Sequence, residues 1–387
     1  MPDRGEVKIT AIEALQPKAP EGTTLVRVRT DAEVTGYGPC GRTSGPAARA
    51  AIAALEGPRL GHLGLIGKDP LAIAVHHHSM FYAYRQRARS MQVLSAIDIA
   101  LWDLAGKLLG QPVHRLLGGP FRDELPLYSH SGGDDPFDKS RWRDRAQELT
   151  GGPLGFRAFK VDVHHALGIP MQQYVPSIGP TEARAVRRYY ALAREAFGDD
   201  VDIIVHCHAE LDVPSAVRVA AAVEPIDPLF YEDPLDPSYS EAWLALRRRT
   251  RLPIMTGENL ALAEAARPFL EHQAVDVLQP DLMNAGGITG TKLIADLAGL
   301  YRIPVCLHNV SGYALNLASQ QFSAGVFNCP MMECRRDADR APEAAANVPV
   351  IRDGRMRVSD APGLGIELDL GYLNANRAEG EPAWTPD

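Results

Sequence analysis

The chain has 387 residues, 45% hydrophobic and 23% charged, with a formal net charge of −8. Those fractions exclude wholesale disorder, and the acidic balance argues against nucleic acid or an anionic membrane surface as the main partner. The length suits two domains, or one large barrel with an accessory piece.

No apolar run is long enough for a transmembrane helix, which takes about 18 residues. The opening MPDRGEVKIT lacks the apolar core of a signal peptide, so a cytoplasmic protein is expected. Cysteines at 40, 207, 306, 329 and 334 form no Cys-x-x-Cys pair. Free thiols are therefore expected rather than a disulfide framework or a structural zinc site.

In chain order, Val7, Ile9 and Ile12 predict a first strand and Thr24–Thr30 a second, with a Pro/Gly-rich loop over 16–22 between them. Gly36–Pro39 and Thr43–Pro46 read as a further loop region, and an Ala-rich helix is expected near 47–56. Residues 91–109 predict a long helix. Leu94, Ile97, Leu101, Leu104 and Leu108 step by 3, 4, 3 and 4 along one face, and Gly110 is a natural stop. Residues 1–125 thus read as an α+β domain.

Beyond Pro126 short apolar runs recur, most of them followed by an amphipathic helix. Strands are predicted at Leu127–His130, Ala158–Val163, Val201–His206, Leu229–Glu232, Ile254–Thr256, Val275–Gln279, Pro304–His308 and Asn328–Glu333, with clear helices at 181–197 and 290–300. Eight β-then-α units over 126–359 read as a (β/α)8 barrel. No Gly-rich dinucleotide fingerprint supports the alternative, an open doubly wound sheet. The Gly/Asp/Pro-rich tail, 360–387, is expected to run back over the N-terminal piece.

Active sites of such barrels lie at the C-terminal strand ends. There the chain places Lys160 and Asp162, His206 and His208, Glu232 and Asp233, Glu258, Asp281, His308 and Asn309, and Glu333. Glu232 and Glu258 offer hard oxygen ligands for a divalent cation, with a third ligand expected from the neighbouring third strand. A dication stabilises the enediolate formed when a proton leaves the carbon α to a carboxylate. His308 suits the base, Asp281 its orienting partner, and His208 an acid for a departing hydroxyl.

Three features are expected to carry no chemistry. His76-His-His78 reads as surface, the basic run 247–251 as a solvated helix end, and Gly286–Lys292 as a helix start, because it lacks the Gly-Lys-[Ser/Thr] ending of a phosphate loop. Trp102 reads as a packing residue.

Nearly the whole chain resembles the enolase superfamily, in its mandelate racemase-like group that includes acid-sugar dehydratases. The resemblance rests on Ser95-Ala-Ile-Asp-Ile-Ala-Leu-Trp-Asp-Leu-Ala-Gly-Lys107, Gly155–Lys160, Tyr231-Glu-Asp-Pro234, Thr256-Gly-Glu258, Gln279-Pro-Asp281, Ala285-Gly-Gly-Ile-Thr289, Leu307-His-Asn309 and Met332-Glu333. It implies a Mg2+-dependent barrel enzyme beneath a capping domain whose loops near 16–24 and 36–44 close over substrate. Glu232 and Glu258 match two metal ligands, His308 and Asp281 the His–Asp dyad, and Glu333 a substrate-binding carboxylate. Lys160 matches the first lysine of a Lys-x-Lys motif. A homo-oligomer, from dimer to octamer, is likewise implied.

Two positions depart from the pattern. His206 stands where the first metal ligand is usually Asp, which favours Mn2+ or another transition dication over Mg2+. Lys160-Val-Asp162 lacks the second lysine, so a two-base racemase loses support. His208 resembles the general acid of galactonate-type dehydratases. The expected function is dehydration of an aldonate-like sugar acid to a 2-keto-3-deoxy acid. The alternatives are an epimerase or cycloisomerase using the same enediolate, and an inactive barrel with a binding role.

Overall fold

The computed structural model describes residues 7–18, 23–57, 64–87, 90–132, 137–175, 177–335, 345 and 349–386. The N-terminal sheet is antiparallel, in the order β1 (Ile9–Leu15), β2 (Leu25–Thr30) and β3 (Thr35–Pro39). The third strand corrects the loop expected at Gly36–Pro39. A Cβ at Gly36 would lie 2.1 Å from the Ala100 carbonyl oxygen and one at Gly38 2.0 Å from that of Ala96. These glycines let the strand lie against a helix backbone; they do not mark a turn.

Four helices follow: α1 (Gly45–Glu56), α2 (Ile73–Arg87), α3 (Met91–Leu109) and α4 (Val113–Leu116). The Ser44 side chain caps α1 by accepting from the Ala47 amide. The predicted 91–109 helix is α3, and it ends at Gly110 in the left-handed conformation, φ 63°.

A parallel barrel fills the middle of the chain. Its strands are β4 (Glu124–His130), β5 (Ala158–Asp162), β6 (Asp202–His206), β7 (Phe230–Glu232), β8 (Ile254–Thr256), β9 (Val277–Leu278) and β10 (Met332–Glu333). Between β9 and β10 the expected strand at Pro304–His308 is reduced to bridges at Val305 and Leu307. Parallel pairing of β10 with β4 closes the ring.

The outer helices are α5 (Lys139–Gly151), α6 (Val163–Leu167), α7 (Pro180–Phe197), α8 (Val213–Val223), α9 (Glu241–Arg247), α10 (Leu262–Glu271), α11 (Gly287–Leu300) and α12 (Tyr313–Gly325). A hairpin of β11 (Ile351–Arg352) and β12 (Arg355–Arg357) borders the start of β4, and α13 (Leu370–Ala375) lies in the tail.

Period-2 alternation sorts the strand residues. Phe159, Val161, Ile203 and Val205 pack outward in the large core around the helices. Tyr128, Ala158, Ile204, Met255, Val277 and Cys306 form a separate inner layer. Within it the Tyr128 hydroxyl donates to the Leu307 carbonyl at 3.0 Å and accepts from Gln279 Nε2 at 2.7 Å. This layer is the floor of the site.

The α3 motif fastens cap to barrel. Asp98 accepts the Thr289 amide at 2.9 Å, and the Trp102 indole donates to the Thr289 hydroxyl at 2.9 Å. Asp103 accepts the amides of Tyr37 and Leu364. Trp102 is therefore a hydrogen-bond donor as well as a packing residue. The histidine run also departs from its surface reading. His76 and His77 are buried, one bonded to the Asp69 carbonyl and the other 3.3 Å from Asp98, while His78 is exposed. Burial follows because α2 lies against α3.

The tail returns to the cap. Ala378 donates to the Gln16 carbonyl, and the fully buried Arg27 bonds Glu13 and the Thr385 carbonyl and stacks over Trp384 at 4.7 Å. None of the five cysteines is in a disulfide, and all five are buried. Among the described residues no helix is long and apolar enough to cross a membrane.

Candidate active site

Register brings the polar strand ends together. Asp162 pairs with His206 across β5 and β6, and His206 with Glu232 across β6 and β7. Because these residues sit at equivalent heights and point inward, their side chains converge just above the floor layer. One step further round, Gly257 follows β8 with φ +148°. A Cβ there would lie 2.7 Å from the Gln279 amide nitrogen. Glycine lets the backbone close on β9 and carries Glu258 into the mouth.

His206, Glu232, Asp233 and Glu258 can each bring one ligand atom within 4.8 Å of the others. His206 Nε2 is 3.5 Å from Glu232 Oε1 and 4.0 Å from Glu258 Oε2. Glu232 is fully buried; its Oε2 and His206 Nε2 have no hydrogen-bond partner. Burying such atoms unpartnered is costly, and a cation between them would satisfy both. Burial and the Lys160 ammonium hold His206 well below its ordinary pKa, which is the neutral form that ligates metals. Burial pushes Glu232 up to about 8 and Asp233 to about 7. The residues present therefore fit a divalent cation.

The sequence places Asp233 at a strand end and assigns it no role. Its carboxylate accepts the Thr256 hydroxyl and its backbone sits at φ 44°, a rare conformation for a non-glycine residue.

Lys160 turns toward the carboxylates, 2.7 Å from Glu232 and 3.3 Å from Glu333. Burial alone would lower its pKa, but Glu232, Glu333 and Glu258 outweigh that and raise it. It is an ammonium and not a base. Asp162, on the same inward face, is not among its ion partners. Asp162 instead faces histidines, with Oδ2 2.7 Å from His130 Nε2 and Oδ1 3.3 Å from His206 Nδ1. Burial would raise the Asp162 pKa, but hydrogen bonds from His130 and His206 depress it strongly.

His308 Nδ1 lies 2.7 Å from Asp281 Oδ2. Asp281 is itself held by the Met283 amide at 2.7 Å. The ring's Nε2 therefore faces the mouth, 3.2 Å from Glu258 and 3.8 Å from Glu333. Burial would lower the His308 pKa, yet Glu258, Glu333 and Asp281 raise it to about 10. Reciprocally, Glu258 resists its own desolvation and falls to about 2, with His308 the largest opposing influence.

His208 stands on another side of the mouth from His308, its ring 3.7 Å from that of His206. Its backbone and that of Ala209 are left-handed, φ 48° and 61°. Burial drops its pKa to about 4, so it is neutral at neutral pH.

Every sequence-level candidate lies at this mouth. The sequence reading missed His164 and His165, which follow Asp162 after Val163 on α6 and gather around it; their closeness in sequence to a strand-end carboxylate was the available signal. Beside the mouth a cleft of about 580 Å³ is lined in part by His130, Asn309, Val310 and Glu333. The cap approaches through Thr23, whose hydroxyl donates to the Ser311 carbonyl. Of the two loops expected to close over substrate, residues 36–39 lie in β3 and residues 19–22 lie outside the described residues.

Residues 12–118 match the mandelate racemase/muconate lactonizing enzyme N-terminal domain, and residues 142–372 match the enolase C-terminal domain-like family. A D-xylonate dehydratase of Haloferax volcanii is 32% identical over 98% of this chain and 92% of its own. A D-galactonate dehydratase of Ralstonia pickettii is 32% identical over 98% and 96%. The solved mandelate racemase/muconate lactonizing enzyme-like protein of Rubrobacter xylanophilus superposes with a TM-score of 0.85 at 31% identity, covering 98% of this chain and 99% of that one.

Proposed function

The chain belongs to the mandelate racemase/muconate lactonizing enzyme family, and on that premise we propose that it is a metal-dependent sugar-acid dehydratase. The observation that carries the reading is the His308–Asp281 pair at 2.7 Å, aimed at the pocket of His206, Glu232 and Glu258. His308 takes the proton α to the substrate carboxylate. Asp281 fixes the ring and stabilises the imidazolium. Lys160 and Glu333 hold the substrate's polar head, Lys160 by its permanent charge. His208 gives a proton to the departing β-hydroxyl, which leaves as water, and the enol that remains tautomerises to a 2-keto-3-deoxy acid.

His206, Glu232 and Glu258 would hold the dication, with Asp233 beside them. When bound, the ion supplies positive charge for the enediolate oxygens and offsets the Glu258 charge that keeps His308 protonated. Mg2+ fits two carboxylates, but an imidazole ligand backed by Asp162 favours Mn2+. Catalysis needs His308 neutral and His208 protonated, the reverse of their resting states. A proton must therefore leave His308, and one must reach His208, as metal and substrate anion enter.

The test screens sugar acids with Mg2+ or Mn2+ for 2-keto acid, detected with semicarbazide, alongside NMR of the same acids in D2O. Keto acid from the native enzyme, cut about 100- to 10,000-fold in His308→Asn, supports dehydration. Deuterium at the α-carbon without keto acid favours the epimerase or cycloisomerase instead. Neither signal, with no metal retained, favours the inactive barrel.

A further inference from the structure

A second cluster of metal-binding side chains lies on the far side of Asp162. While Asp162 Oδ1 faces His206, its Oδ2 is 3.9 Å from His165 Nε2, 4.0 Å from His164 Nδ1 and 2.7 Å from His130 Nε2. Asp162, His164 and His165 each bring a ligand atom within 4.8 Å of the other two. Asp162 is 2% and His164 7% exposed, and His164 Nδ1 lacks a hydrogen-bond partner. The His130 and His165 side chains are 40% and 28% exposed, which leaves a path from solvent. Hydrogen bonding to His130 alone does not explain why three imidazoles surround one carboxylate oxygen.

We propose that Asp162, His164 and His165, with His130 at the open edge, form a second site for a transition dication such as Zn2+ or Co2+. Imidazole with a single carboxylate is a borderline donor set that disfavours Mg2+ and Ca2+. Metal–ligand bonds of about 2.0–2.1 Å place tetrahedral ligand atoms roughly 3.3–3.4 Å apart. The separations of 3.9 and 4.0 Å need a contraction of about 0.6 Å, within the reach of side-chain rotation. His130 must swing outward from Asp162, giving up the 3.1 Å bond its Nδ1 accepts from the Gly132 amide, and its 40% exposed side chain has solvent to turn into. The site shares Asp162 with the catalytic mouth but uses the other oxygen, so both can be filled at once.

The experiment counts metal and does not depend on turnover. Untagged protein stripped with chelator is titrated with Co2+, followed by visible absorption and elemental analysis, and then with Zn2+. The native chain is expected to take two equivalents, one giving the intense bands of tetrahedral Co2+. Glu258→Gln should keep the intense signal, while His164→Gln/His165→Gln should lose it and one equivalent. Native protein saturating at one equivalent, or a double variant that still takes two, overturns the proposal. If the double variant fails to fold by circular dichroism, His165→Gln alone decides. Loss of the second equivalent supports the site; an unchanged second equivalent overturns it.

Discussion

Asp162 sets which nitrogen of His206 carries its proton. With Oδ1 3.3 Å from Nδ1, the proton belongs on Nδ1 and the lone pair of Nε2 faces Glu232 and Glu258. A carboxylate behind a ligating imidazole returns part of the negative charge forfeited when His replaces Asp at a metal site. His206→Asp alone would set two carboxylates against each other with no proton between them. It is expected to bind both Mg2+ and Mn2+ about tenfold more weakly than the native chain. His206→Asp/Asp162→Asn should recover binding and shift the Mn2+/Mg2+ preference toward Mg2+ by about tenfold or more. Isothermal titration with each metal reads both. A single variant that gains Mg2+ affinity would remove Asp162 from this role.

The sequence made the ligand candidates visible but not their pairings. Lys160 and Asp162 share an inward face by period 2, yet they take different partners. The curvature of the barrel sends Lys160 across to Glu232 and Glu333 and leaves Asp162 to the histidines. Such cross-barrel contacts depend on strand stagger, which no local pattern encodes.

Among the elements, the turn after β8 does the most to shape the site. Gly257 holds φ +148° with its α-carbon against the β9 backbone, so Gly257→Ala meets both a forbidden conformation and a 2.7 Å contact. About 1–3 kcal/mol of stability should be lost in urea unfolding, together with metal binding, because Glu258 moves with the turn. Normal stability with normal metal affinity would show that the turn can relax without it.

The barrel strands were legible because apolar runs alternate with amphipathic helices. Strand β3 was not, because Gly36 and Gly38 look like turn residues until α3 is seen lying 2 Å from where their side chains would be. The same blindness affected His76 and His77, whose burial comes from helix packing and not from their own polarity.

For the whole molecule, the buried charges set how stability responds to pH. His308, raised from 6.5 to about 10, stabilises the fold fully below 6.5, and that contribution fades as pH rises through 10. Glu232 and Asp233, raised to about 8 and 7, cost stability as pH climbs from the ordinary carboxylate range through those values. Glu258, lowered to about 2, contributes above 4.5 and loses that contribution only in strong acid. The lowered histidines His206 and His208 add stability as pH rises to about 6.5 and nothing beyond it, so chelator-treated protein should melt at progressively lower temperature from about pH 6.5 to pH 10. Saturating Mn2+ should flatten or reverse that slope up to about pH 9, because metal binds the deprotonated ligands. Differential scanning calorimetry with and without metal tests it, and parallel slopes would contradict it.

The tail gives this architecture an order of events. Arg27, on the second strand, has no exposed surface, and its guanidinium is covered by Trp384 and the Thr385 carbonyl. A ribosome delivers Arg27 some 350 residues before its cover. During synthesis the first sheet must wait with a cation uncovered in its face while the barrel is made, closed and traversed. The domain that emerges first is thus the last to be finished.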